Sequence, residues 1–444
     1  MSNSMIAEEQ TMPAAQSIPT GLPKGPPQHP MAISVPVIDG AKDTLNAALM
    51  QIRADIDQRK VMPFEALGTI HYLRIVLVDP EEADAGKQRN LFTKMIFTTD
   101  FDGDEDQHIA ALASTCGDFM DSIFQYCQGY PAANARNASS RKAYFDQYRI
   151  HPSAFFAGAP GRTLPQVKQE SGLRNFISAF IHNGNWKGKR PTEIHQAIKQ
   201  AVFAKPEFAW AKEKAPLPKI RIVSLIIMGI VLLALLPFII IWILILHFFH
   251  EVKDKPLGLR PSQISEEHIN NLEAYEDWHN QNQFTQVLTM KPGFMRLKTL
   301  QGLMIFARCL VNFLFVDGKL MGIPTIHFAR WQMLDDNRRM IFFSNFDGSW
   351  TQYLGDFIDK SGWGLTGIWS NTMMFPKTRF LFTGGAYDAE HFLAWSRYYQ
   401  TPSAVWFCAY YNLSIKNVMN NTHIRNGLTE TFDDKKAQVY LNSI

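Results

Sequence analysis

The chain has 444 residues, enough for two or three domains. Its 44 basic and 41 acidic residues leave a net charge of +3, too near balance to imply a nucleic-acid partner. Its 4 cysteines, Cys116, Cys127, Cys309 and Cys408, form no CxxC pair, which argues against zinc and disulfides and for buried thiols in a reducing compartment.

Residues 1–45 are rich in proline, alanine and glutamine and lack an apolar core, so they read as a disordered tail without a cleaved signal. Residues 60–202 form a first folded unit, with strand-like runs at Thr69–Arg74 and Met95–Gly103 and an insertion around 132–150. Residues 203–260 hold a membrane segment. Its apolar core, 222–246, contains Ser224 as the one clearly polar side chain and no charge. About 20 apolar residues suffice to cross about 30 Å of hydrocarbon. Residues 261–323 read as a linker with an amphipathic helix at 300–316, where Arg308 and Asn312 disfavour a bilayer centre. Residues 324–430 form a second unit. Here Ile326–Leu334 and Arg339–Phe346 are predicted strands around the turn Asp335-Asp336-Asn337. A helix follows over 350–361, then strands over 365–371 and 379–385, a helix over 388–399 and a strand over 404–411. Residues 431–444 read as a tail.

The two units look like copies. Thr69-Ile70-His71-Tyr72-Leu73-Arg74 matches Thr325-Ile326-His327-Phe328-Ala329-Arg330, and MIFTTDFDG (95–103) matches MIFFSNFDG (340–348). The spacing from Gly103 to Pro131 equals that from Gly348 to Pro376, with Gln107/Gln352 and Gly117/Gly362 matching on the way. FFAGA (155–159) lines up with FTGGA (382–386). The expected fold class is therefore α+β: two tandem ferredoxin-like (βαββαβ) repeats pairing as an α+β barrel, with one apolar membrane helix or helical hairpin between them.

That insertion poses a problem. A single crossing would put the copies on opposite sides of the bilayer. Pro237 could bend the run into a shallow hairpin, residues 300–316 could return the chain, or copies could pair between molecules. One ordinary spanning helix stays open beside these. Lys205, Lys212, Lys214, Lys219 and Arg221 ahead of the run favour a cytoplasmic N-terminal side and soluble domains inside an inner membrane.

The duplication and the strand ending in Asp-Gly resemble the dimeric α+β-barrel superfamily, which includes dye-decolourising peroxidases and chlorite dismutase-like haem proteins. The strings TIHFARW and FFSNFDGSWTQYLGDFI also look like those of a bacterial family of unassigned activity. The resemblance implies a cavity between paired sheets and, in the peroxidase branch, haem with a distal Asp and Arg and a proximal His. Of the peroxidase GxxDG stretch only Asp102-Gly103 and Asp347-Gly348 remain, since Thr99 and Ser344 replace the first glycine.

On this basis the candidate catalytic residues are His327, Arg330, Asp347 and Asn345, and the candidate haem-binding residues are His327, His423 and Arg425. His71 and Arg74 are their first-unit counterparts. Residues three apart on a strand face opposite ways, so one of each His/Arg pair should look into the sheet interface. Each histidine reads as a haem or metal ligand or acid/base group or, preferably, as a satisfied core residue hydrogen-bonded across the duplicated interface. Asp102 and Asp347 read as distal acids or, preferably, as N-caps of the helix that follows. No histidine shows metal-ligand spacing, and P-loop, GxSxG, HExxH and Rossmann strings are missing. Two functions remain: a membrane-attached protein binding an apolar or lipid-like ligand in an aromatic-lined cavity between the sheets, or a haem-dependent peroxidase or oxygenase at the membrane. A cofactor-free monooxygenase is a weaker third.

Overall fold

The computed structural model describes residues 28–80, 92–254 and 259–444. In chain order the elements are β1 (Gln28–Pro36), α1 (Lys42–Asp57), β2 (Ile70–Val78), β3 (Lys94–Asp102), α2 (Glu105–Thr115), α3 (Gly117–Phe124), α4 (Ala138–Tyr148), β4 (Pro152–Ala157), α5 (Leu164–Asn183), α6 (Pro191–Phe203) and α7 (Ile222–Phe249). Then come α8 (Glu266–Glu273), β5 (Gln281–Thr289), α9 (Phe294–Phe313), β6 (Ile326–Leu334), β7 (Arg339–Asp347), α10 (Trp350–Trp369), β8 (Thr378–Arg379), β9 (Thr383–Gly384), α11 (Ala389–Tyr399), β10 (Val405–Cys408), α12 (Ile415–Gly427) and α13 (Asp434–Leu441). The fold is mixed α+β with antiparallel sheets and one long apolar helix.

Two four-stranded sheets dominate the larger of two compact units, which comprises residues 26–172 and 216–423. One has the order β1-β3-β2-β10 and the other β5-β7-β6-β4. Each sheet thus takes three strands from one half of the chain and its fourth from the other half. Ile33 of β1 bridges Arg149 just before β4, and Gln286 of β5 bridges Gln400 ahead of β10. Each fourth strand therefore starts beside the first strand of its own half and ends in the opposite sheet. This leaves few open strand edges, which would otherwise template aggregation.

Helices cover the outer faces. Leu73, Ile75 and Phe97 of the first sheet pack with Leu45, Leu49 and Leu112. Phe284, Trp331 and Phe342 of the second pack with Leu300, Phe357 and Trp395. Between the sheets, Val76, Val78, Ile96, Leu334, Ile341 and Phe343 form a smaller apolar cluster. At about 25 cal/mol per Å² of apolar area buried, the two outer cores supply the main folding drive.

Several expectations are corrected here. Residues 28–45 are not tail: they form edge strand β1 and the start of α1, while residues 1–27 lie outside the described residues. Residues 261–323 are not a linker, because β5 is a sheet strand and α9 packs on the second sheet. No strand occupies 365–371, where α10 continues to Trp369, and 379–385 holds only the short β8–β9 hairpin. The second half's strands begin at β5, not at residue 324. Residues 431–444 carry helix α13.

The smaller unit includes residues 173–215 and 424–444. Leu173, Ile177, Ile198, Val202, Leu428 and Tyr440 form its core, and buried His195 places Nε2 3.1 Å from the Gly427 carbonyl.

Helix α7 is a single 28-residue helix that runs through Pro237, so no hairpin forms there. It is long and apolar enough to cross a membrane, and only 6% of its most apolar window is buried. A soluble core helix would be mostly covered. At 1.5 Å per residue it is about 42 Å long. A stripe at helical spacing, including Leu225, Met228, Leu232, Ile239, Trp242 and Leu246, is half-buried or buried, while Val223, Ile230, Leu233 and Phe238 on the remaining surface are exposed. The stripe meets the domain toward both ends of the helix, while residues 233–238 between are exposed. Arg221 N donates to Phe313 O (2.9 Å) at one end, and Trp242 Nε1 donates to Thr299 Oγ1 (2.9 Å) further along. Beyond its other end, buried Glu251 accepts from Thr378 Oγ1 (2.8 Å) and Leu381 N (3.0 Å) at the β8–β9 hairpin.

Candidate functional site

Each histidine of the two TIH strings sits at a β-bulge, where the register slips between Ile70 and Tyr72 and between Ile326 and Phe328. The slip moves the histidine out of strict alternation with the arginine three residues later. Both members of each pair consequently reach the opposite sheet, which corrects the expectation that only one would. The rings of His71 and Phe328 lie 5.3 Å apart, and those of Tyr72 and His327 5.9 Å apart.

Arg74 is fully enclosed. It donates to Phe284 O (2.8 Å), Thr285 Oγ1 (2.7 Å), Ser344 O (2.8 Å) and Asn345 Oδ1 (2.6 Å), all in the second half of the chain. Arg330 reaches the other way, to Thr99 O (3.1 Å) and to the Asp100 carboxylate (3.3 Å). Asn345 Nδ2 donates to Asp100 Oδ2 (3.2 Å), so the network is continuous. Burial, reinforced by neighbouring Arg330, pulls the Arg74 pKa down to about 9, which still leaves it charged at neutral pH. Burial also pushes the Asp100 carboxyl up, against the pull of the two arginines. A charged, buried cluster of hydrogen bonds and one ion pair therefore fills the space where an apolar cavity was expected. That expectation is corrected.

Asp102 and Asp347 do not cap the helices that follow them. Asp104 accepts from Gln107 N (3.0 Å) for α2, and Ser349 Oγ accepts from Gln352 N (3.3 Å) for α10. Instead, Asp102 Oδ2 accepts from Leu164 N at the start of α5 (2.6 Å), and Asp347 Oδ2 accepts from Ile415 N at the start of α12 (2.8 Å). Their other oxygens take His71 Nε2 (2.9 Å) and His327 Nε2 (2.8 Å). Each aspartate thus ties a bulged strand to the helix that leaves a fourth strand, and the positive helix end suits its charge.

Gln28 and Gln281 complete this scaffold and were missed by sequence reasoning. Gln28 Nε2 donates to Ala159 O (3.1 Å), and Gln281 Nε2 donates to Tyr410 O (2.9 Å), each holding the loop after a fourth strand. The matching Gln at the first position of β1 and of β5 was the available signal.

The halves differ at one point. With Nε2–H given to Asp102, His71 Nδ1 is left to accept from Tyr410 OH at 3.0 Å. Aligning the fourth strands by their pairing with Arg74 and Arg330 puts Ala159 at the place of Tyr410. His327 Nδ1 is buried with no hydrogen-bond partner among the described residues.

These positions do not fit haem. His327 is 1% exposed and enclosed by Asp347, Tyr72 and Tyr410, and its approach is filled by side chains. His423 lies exposed on α12. Arg425 belongs to the smaller unit, where it donates to the carbonyls of Glu213 (3.1 Å) and Trp210 (3.3 Å) and lies 5.0 Å over the Trp210 ring. Enclosed His327 and exposed His423 share no cavity. No group of three or more His, Cys, Asp or Glu side chains among the described residues is arranged to hold a metal ion.

An apolar cleft lies outside the second sheet instead, between α9 and α10. It measures about 710 Å³ including its open mouth, and Leu303, Phe306, Leu310, Trp363, Leu365 and Phe382 are among its walls. The elements that wall it, α9 and the segment carrying Phe382, are those that hold α7. The walls of the cleft carry almost no polar groups. No family model, curated protein or solved structure matched the chain.

Proposed function

We propose that this is a membrane-attached binding protein. Two ferredoxin-like βαββαβ repeats close one α+β barrel, α7 lies in one leaflet, and the cleft between α9 and α10 takes an apolar, lipid-like chain. The duplication is supported by the shared strand order of the two sheets and by the equivalent placing of His71/His327, Arg74/Arg330 and Asp102/Asp347. The exchanged fourth strands also support kinship with the dimeric α+β-barrel superfamily.

One observation carries the attachment. β4 precedes α7 and pairs with β6 beyond it, while β2 precedes α7 and pairs with β10. Both ends of α7 therefore belong to one aqueous side. A continuous helix cannot enter a bilayer, cross it and return. It lies along the interface, with its docked stripe on the domain and its exposed face among acyl chains. Left in water, that face would be an aggregation liability. The basic residues ahead of α7 favour the anionic cytoplasmic face of an inner membrane as the surface it attaches to. The haem alternative has no comparable support, because His327 is enclosed by side chains and His423 shares no cavity with it.

Flotation of the full chain with phosphatidylcholine vesicles, and mass spectrometry of lipid extracted from the purified protein, test this reading. The protein should float and carry an acyl lipid. Val311→Trp, which fills the cleft, should lose the bound lipid and still float. A protein that stays with the soluble fraction and carries no apolar molecule refutes the proposal.

A further inference from the structure

Beneath the C-terminal end of α7 lies a second pocket, about 870 Å³ including its mouth, whose walls include Phe249, Lys253, Asp254, Lys291, Arg296 and Phe375. Its polar side is unusual. A single carboxylate oxygen, Asp254 Oδ2, accepts from both Lys291 Nζ (2.7 Å) and Arg296 NH2 (2.6 Å). The same two cations share the Ser370 carbonyl, at 2.8 and 3.4 Å. Arg296 is 2% exposed, so this charge cannot be dispersed into water. Lys253 brings a third cation to the pocket. Glu251, whose charge also reaches Lys291, is engaged by Thr378, Leu381 N and His247. Among the described residues, three cations thus face two carboxylates, Asp254 in direct contact and Glu251 further off, which leaves an excess of positive charge.

We propose that this pocket binds the phosphate of an anionic membrane lipid, held by Lys253, Lys291 and Arg296, with the lipid's chains lying against Phe249 and the exposed face of α7. This rests on the reading that α7 lies in the membrane interface. Location and chemistry agree. Phe248, Phe249, Val252 and Phe294 are all exposed around the pocket, so insertion of α7 brings it to headgroup depth. Arginine and lysine together suit a phosphate, the former by its fork and the latter as a point charge. Burial and the adjacent Arg296 hold the Lys291 ammonium below the ordinary lysine range, the mark of a site short of negative charge, and a second anion relieves that strain.

The test is flotation of the full chain on vesicles of phosphatidylcholine alone and of phosphatidylcholine with phosphatidylglycerol, with thermal shift in inorganic phosphate as a separate arm. Wild type should bind the anionic vesicles more tightly. Lys253→Gln and Lys291→Gln should each reduce that preference by about fivefold, leaving binding to neutral vesicles unchanged. Lys60→Gln, an exposed charge on another face, should reduce it much less. Equal binding to both vesicles overturns the phosphate site and leaves the membrane reading intact, as does a preference that survives both lysine variants. Failure to float on either vesicle overturns both. A thermal shift in inorganic phosphate that needs Lys291, without a lipid preference, assigns the site to a soluble phosphate and overturns the lipid as its source.

Discussion

The Arg74 guanidinium donates to Asn345 Oδ1 at 2.6 Å, joining the second strand of one sheet to the third strand of the other. Arg330 makes the reciprocal reach to Asp100 at 3.3 Å. Sheets in contact are ordinarily held by apolar side chains alone. Here a buried ionic cluster fixes their register. Removing one partner of such a cluster strands the rest, so Arg74→Ala should cost about 3–5 kcal/mol. Arg74→Lys should recover little, because an ammonium cannot serve four acceptors at once. Guanidinium unfolding monitored by tryptophan fluorescence reads both.

Tyr410 gives His71 the partner that His327 lacks. Tyr410→Phe leaves the His71 Nδ1 buried without a donor and should cost about 1–3 kcal/mol. The ring contacts of Tyr410 with Tyr72 (5.7 Å) survive the change, so the loss isolates the hydroxyl. A thermal melt of the variant within experimental error of wild type contradicts the assignment.

His108 stacks on Phe101 with centroids 3.7 Å apart and lies 2.9 Å from Thr99 Oγ1. Burial pulls its pKa from 6.5 to about 3. Between those values the unfolded chain holds a proton that the folded chain refuses, so stability rises with pH. The His108 contribution is complete above about pH 6.5 and drains away as the pH falls toward 3. His108→Gln should flatten the stability profile between pH 6.5 and 4, as measured by chemical denaturation across that range.

Asp347 caps α12, and Ser349 caps α10. Asp347→Ala should cost about 1–3 kcal/mol and speed amide exchange at Ile415 while leaving Gln352 protected. Ser349→Ala should cost about 1 kcal/mol and do the reverse. Hydrogen exchange resolved by residue separates the two helices.

The central strands were legible because their cues are local. Ile326–Leu334 and Arg339–Asp347 are apolar and β-branched around Asp335-Asp336-Asn337, three residues with positive φ that asparagine and aspartate tolerate. Polar β5, QNQFTQVLT, gave no such cue, and its Gln281 proves to be a scaffold residue. The end of α10 was misread for a different reason. Gly362, Gly364 and Gly367 weaken a helix on propensity. The structure needs them: a Cβ at Gly362 would lie 2.8 Å from Tyr387, and one at Gly367 would lie 2.9 Å from Phe382. The exchange of fourth strands is a long-range choice that no window of sequence contains. The candidate histidines, arginines and aspartates do cluster, but as a scaffold. Of the clefts, the basic pocket was invisible because Asp254, Lys291 and Arg296 meet only after α9 packs.

The side on which each end of α7 emerges is the decisive observation. Leu217→Cys and Ser262→Cys, exposed positions on either side of α7 in the chain and placed in a Cys309→Ser background, can be challenged with a membrane-impermeant maleimide in inverted membrane vesicles and in intact spheroplasts. Labelling of both positions in inverted vesicles and of neither in spheroplasts is the predicted result. If one position labels only in spheroplasts, α7 spans the bilayer and the interleaved sheets cannot form within one chain.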